Sequence, residues 1–125
     1  MRLNPFQIAL LAASAAAVGP AWAAFNSQTF IPPGQTFLLG GGQPGAFRVQ
    51  GRNIGTVPVT IRSELNGAVS FVATIAPGQS VDTQFQKGQM AQFENTSKKE
   101  TARVSLRLTQ DVSGLAMRYT GPGAN

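Results

Sequence analysis

Cysteine and histidine are both missing from the 125 residues. Their absence removes disulfides, thiolate nucleophiles, zinc fingers, His-ligated metals, imidazole general bases and every His-containing catalytic triad. Acids are scarce as well. The five, Glu64, Asp82, Glu94, Glu100 and Asp111, stand singly along the chain with no Asp-x-Asp-x-Asp loop among them. Such scatter gives a calcium or magnesium ion no cluster of oxygen ligands. Charged residues make up 12% of the chain and apolar ones 42%, so the composition suits a packed domain rather than a charge-swollen tail.

The first stretch reads as separate from the fold. Arg2 gives a positive start, and residues 8–18 (Ile-Ala-Leu-Leu-Ala-Ala-Ser-Ala-Ala-Ala-Val) form an uninterrupted, weakly apolar run that ends at Gly19-Pro20. Ala21-Trp22-Ala23 then fits the A-x-A rule of signal-peptidase sites, with cleavage expected between Ala23 and Ala24. Eleven residues rising 1.5 Å each fall well short of a hydrocarbon layer of about 30 Å, so the run reads as a removable leader over 1–23 and not as an anchor. The expected product is one secreted or periplasmic domain over 24–125, with no transmembrane anchor. Lacking disulfides, that domain must hold together by its core.

Strand periodicity dominates the remainder of the chain. The Gly/Pro/Gln-rich segment 24–45 is unsuited to helix, and its first residues, Phe25 to Ile31, read as an extended strand. Beyond it, apolar residues recur at every second position: Phe47 and Val49; Val57, Val59 and Ile61; Val69, Phe71, Ala73 and Ile75; Val81 and Phe85; Ala102, Val104, Leu106 and Leu108; Leu115, Met117 and Tyr119. Pro-Gly, Asn-Gly, Lys-Gly and Ser-Gly pairs separate these runs, Pro77-Gly78 being a type II turn signal. The predicted fold is all-β, a small antiparallel sandwich of seven or eight strands.

Two finer expectations concern register and repetition. A two-residue Asn66-Gly67 loop would set Arg62 against Phe71 and put the two best apolar faces on opposite sides. A three-residue loop, Leu65-Asn66-Gly67 with Gly67 at a G1 bulge, instead sets Ile61 opposite Phe71 and Val59 opposite Ala73, and is the expected register. The chain also resembles itself. Ile31-Pro-Pro-Gly-Gln-Thr-Phe returns as Ile75-Ala-Pro-Gly-Gln-Ser-Val, and Asn53 before Val59-Thr-Ile-Arg returns as Asn95 before Val104-Ser-Leu-Arg, which suggests two similar four-stranded halves.

Function is expected to reside on the surface. Alternation sends Arg48, Arg52, Arg62, Arg103, Arg107 and Arg118 outward, and strands 46–52, 57–64 and 101–109 would form a guanidinium stripe if they shared a sheet. The first five are the candidate ligand-binding residues, for an anionic envelope or matrix polymer or for another protein. The simpler alternative is that these arginines only fill the polar face of amphipathic strands. Base-reading motifs are missing, so no specific nucleic-acid partner is expected, and the single Trp lies in the leader, which disfavours sugar stacking. No cofactor, metal or catalytic residue is expected; a carboxylate enzyme would need Glu64 to meet Glu100 or Asp111. Asn95-Thr96-Ser97 has the form of a glycosylation acceptor, and Ser97-Lys98 of a weak Ser/Lys pair. The alternative role is a structural subunit built by strand addition, with the opening segment laid on a neighbour's sheet edge.

Overall fold

The computed structural model describes residues 24–112 and 114–123. The leader and its expected cleavage residues Ala21 and Ala23 lie outside that range. The described residues form nine antiparallel strands: β1 (Phe25–Ile31), β2 (Thr36–Gly40), β3 (Phe47–Asn53), β4 (Val59–Leu65), β5 (Ala68–Ile75), β6 (Ser80–Phe85), β7 (Met90–Asn95), β8 (Ala102–Gln110) and β9 (Met117–Thr120). They make two sheets, ordered β1-β8-β3-β6 and β5-β4-β7-β2-β9. The expected sandwich is present, with β2 and β7 as strands that the period-2 runs did not mark.

Alternation builds the core. Phe47 and Val49 of β3, Phe85 of β6, and Ala102, Val104, Leu106 and Leu108 of β8 face Phe37 and Leu39 of β2, Val59 and Ile61 of β4, and Ala91 and Phe93 of β7. The rings of Phe47 and Phe85 stack with centroids 5.3 Å apart, while Phe37 packs tilted against Phe93 and Tyr119. Gly51 occupies an inward position on β3. A β-carbon there would come 3.2 Å from Leu106, so the missing side chain admits the neighbouring leucine.

The β4–β5 hairpin differs from the expected register. Asn66 and Gly67 both have positive φ, 53° and 82°, and Leu65 pairs with Ala68, which is the two-residue type I′ loop. The Leu65-Asn66-Gly67 loop does not form, because asparagine tolerates the left-handed region and the primed turn matches strand twist. The parity conflict is resolved further along. A bulge makes Val72 the extra residue between the pairs Ile61–Ala73 and Arg62–Phe71, so Ile75 and Val72 face the core while Phe71 and Val69 face water at 67% and 51% exposure. Met117 and Tyr119, also expected inside, are partly exposed on the edge strand β9.

Two buried asparagines fix the ends of the sandwich. Asn53 and Asn95 are the last residues of β3 and β7, and each is 0% exposed. The Asn95 amide donates to the carbonyls of Ile31 and Glu100 at 2.9 and 2.7 Å, with Pro32 at 3.3 Å, and its oxygen accepts from the Ser97 N–H. Asn53 donates to the carbonyls of Val57 and Ile75 at 2.7 and 2.9 Å and accepts from the Gly55 N–H. Each therefore holds the end of a strand that leads into a Pro-Gly turn, Pro33-Gly34 in one case and Pro77-Gly78 in the other. Both turns have a left-handed glycine (φ 72° and 85°) and a closing bond, from Gln35 to Pro32 and from Gln79 to Ala76.

The order β1-β8-β3-β6 becomes β5-β4-β7-β2 when each strand is exchanged for the one four places away, and that is the second sheet before β9 is added. Apart from the β4–β5 hairpin, sequence neighbours thus lie in different layers, and β1 and β3 are joined only through β8.

Phe71→Thr should change stability by no more than about 0.5 kcal/mol, as expected for an exposed side chain, where the three-residue register would cost about 3 kcal/mol or more. Asn95→Ala, which removes the side-chain partner of the Ile31 and Glu100 carbonyls and of the Ser97 N–H, should lower unfolding free energy by about 2–3 kcal/mol. Urea titrations of the two variants check both values.

Candidate functional site

The arginines sort by sheet. Arg48 and Arg52 on β3 and Arg103 and Arg107 on β8 all project from the outer face of the β1-β8-β3-β6 sheet, because the alternate positions Phe47, Val49, Val104 and Leu106 are buried. Their order follows from the register. Gln50 pairs with Arg107 and Arg52 with Ser105, and the Ile54 N–H donates to the Arg103 carbonyl one step beyond the pair Asn53–Val104. Along the strand axis the sequence is Arg48, Arg107, Arg52, Arg103, alternating between the two strands. Successive rungs are two residues, about 7 Å, apart along the axis and one strand spacing, about 4.8 Å, across.

The remaining outward residues on this face are mostly neutral: Asn26 and Gln28 on β1, Gln50 on β3, Ser80 and Gln84 on β6, and Ser105 on β8. Among them runs an open groove of about 410 Å³, lined by Gln50, Arg52, Ser80, Asp82, Ser105 and Arg107. Among the described residues Asp82 is the one acid on the face. It takes a bidentate contact from Arg48, Nε at 2.9 Å and Nη2 at 2.6 Å. Hydrogen bonding from Arg48 holds the Asp82 carboxyl below its ordinary 3.8 and raises the Arg48 guanidinium. Arg103 lies over the Phe30 ring, 5.3 Å from its centroid. Arg52 and Arg107 carry no ion pair among the described residues.

Arg62 is not part of this set. It projects from β4 in the other sheet, where it pairs with Glu94, while Gln92 donates to Glu64 at 2.8 Å. With Arg118 on β9, that face carries two arginines against two glutamates, whereas the first carries four arginines against one aspartate. The expected three-strand stripe is therefore a two-strand one, because β4 lies in the opposite layer.

The other candidates have local structural partners. Asn95, of the acceptor-like triplet, has no exposed surface in the folded chain and directs its amide at backbone carbonyls. The Ser97 hydroxyl accepts from the N–H groups of Lys99 and Glu100 at 3.2 and 3.1 Å, which makes it a loop cap rather than a partner of Lys98. Glu100 accepts from Thr56 at 2.6 Å beyond the start of β4, and Glu64 lies at the far end of that strand. Among the described residues no three His, Cys, Asp or Glu side chains gather as a metal site, and no helix is long and apolar enough to cross a membrane. The opening segment pairs along its whole length with β8 of its own chain, from Phe25–Leu108 to Ile31–Ala102.

Sequence reasoning missed Gln43. Its buried side chain accepts from the N–H groups of Gly41 and Gly42 and donates to the carbonyls of Gln86 and Gln89, tying the β2–β3 loop to the β6–β7 turn. A lone glutamine in a glycine-rich loop carries no signal that would distinguish it. Comparisons with protein-family models, curated proteins and solved structures find no match.

Because Asp82 titrates below its ordinary value, the Arg48–Asp82 contact is in place above pH about 4 and is lost as pH falls through the lowered folded value. Carboxyl NMR titration should find Asp82 below 3.8, and Arg48→Gln should return it toward that value.

Proposed function

We propose that the chain is an exported, non-catalytic interaction module that binds an anionic partner through the outer face of its β1-β8-β3-β6 sheet. The observation that carries this is the segregation of charge. Four arginines and one acid share one face, while the opposite face carries two arginines against two glutamates, with Arg62 paired to Glu94. Guanidinium groups with free edges grip phosphate or carboxylate bidentately, and Arg52 and Arg107 border the groove. Export is supported by the leader-like pattern of residues 1–23. The periplasm or the cell exterior is the compartment that fits, and an envelope or matrix polymer is the partner that fits. The matched Ile-x-Pro-Gly-Gln turns, the paired asparagines and the exchangeable strand orders are read as one duplicated four-stranded unit.

On phosphocellulose the protein should elute at a salt concentration clearly above that needed for a double Arg52→Gln/Arg107→Gln variant of equal thermal stability, while Arg62→Gln should elute with the parent. Equal elution of all three would remove this reading.

One observation favours a second role, self-assembly by strand addition. The edge strand β5 (Ala-Val-Ser-Phe-Val-Ala-Thr-Ile) has no charge or proline over eight residues and exposes Val69 and Phe71. Light scattering should then show mass rising with concentration, and Phe71→Lys should abolish the rise. A monomer at every concentration would leave only the first role.

A further inference from the structure

The four arginines lie in a line and not in a cluster. A pocket for one small anion would converge two or three guanidinium groups on a point, whereas here Arg48, Arg107, Arg52 and Arg103 are anchored in succession along the β3–β8 seam, about 7 Å apart along the axis. Neutral side chains, Gln50 and Ser105, fill the places between them. A globular ligand reaches only part of such a row, while an extended chain reaches all of it.

We infer that the sheet face is a track for a linear polyanion with one charge about every 7 Å, the spacing of a phosphodiester-linked polyol chain, lying along the β3–β8 seam. This rests on the anion-binding role proposed for the face and adds the form and charge spacing of the partner. Phosphate is favoured because its oxygens accept the two parallel N–H groups of a guanidinium, and a phosphodiester keeps one full charge at each linkage. Nucleic acid fits less well. Single strands are held by several aromatic platforms for their bases, and this face offers one aromatic ring among the described residues, Phe30, with the Arg103 guanidinium 5.3 Å from its centroid.

The rungs are not equivalent. Arg107 and Arg52 are free of ion pairs among the described residues, Arg103 leans on Phe30, and Arg48 is held by Asp82. Asp82 therefore sets the length of the track: with its carboxylate in place three rungs are open, and without it there are four.

The test uses glycerol phosphate oligomers of one to eight units, titrated into the protein expected after leader removal, 24–125. Affinity should rise with each unit up to three or four phosphates and then level off. The salt dependence of binding should correspond to about three contacts, at about 0.7 per phosphate. Arg107→Gln and Arg52→Gln should each remove about one contact. Asp82→Asn should add one and strengthen binding several-fold, and Arg62→Gln should change nothing. Equal affinity for one phosphate and for eight, with the arginine variants still weakened, would overturn the track and leave the anion-binding face standing. Equal or tighter binding of hyaluronate, whose carboxylates are spaced more widely, would overturn the assigned spacing. Tighter binding of single-stranded DNA of equal charge would overturn the polyol chain in favour of base recognition. Binding indifferent to Arg52, Arg107 and Asp82 would overturn the track and the face together.

Discussion

Asn53 and Asn95 set the constraint on which the rest of the sandwich depends. Where strands of the two layers end together, several carbonyls point into a space that water does not reach, and an unpaired buried carbonyl is costly. One asparagine at each site supplies both an N–H₂ for the carbonyls and an oxygen for a nearby N–H. The Asn95 clamp joins residues from β1, β7 and the loop before β8, and the Asn53 clamp joins β3, β5 and the approach to β4. The layers are tied at these points, and the Pro-Gly turns between strands of different sheets are thereby held in place.

Holding the layers in this order determines the surface. Because β8 lies between β1 and β3, two arginine-bearing strands far apart in sequence become neighbours, and their register interleaves the side chains into a row. Because β4 lies in the other layer, Arg62 meets Glu94 instead and leaves that row. The same arrangement puts β5 at an edge, where its uncharged length faces solvent, while β9 covers the corresponding side of β2. Two surfaces of different character result, one cationic and one apolar, and the two proposed roles are argued from them.

Much of the fold was legible. Inward residues of β3, β4 and β8 follow from strict alternation, and the Pro-Gly and Asn-Gly pairs mark three of the turns. β7 escaped because its alternation ends in a buried asparagine, which counts as polar in any apolar pattern. β2 escaped because Phe37, Leu38 and Leu39 form a continuous run without period. Alternation does not give the β4–β5 register because it assumes an unbroken pleat. A bulge at Val72 costs one residue and reverses the parity of everything before it, so Phe71 and Val69 point outward.

Sequence alone determined that the described chain would be all-β, that its arginines would stand opposite apolar positions, and that thiol or imidazole chemistry was closed to it. These properties depend on residue type and on a period of two, both of them local. Which arginines share a face was decided only in three dimensions, since strand order is set by long-range packing and by the buried hydrogen bonds of two asparagines. No local pattern records the partner that a strand will meet.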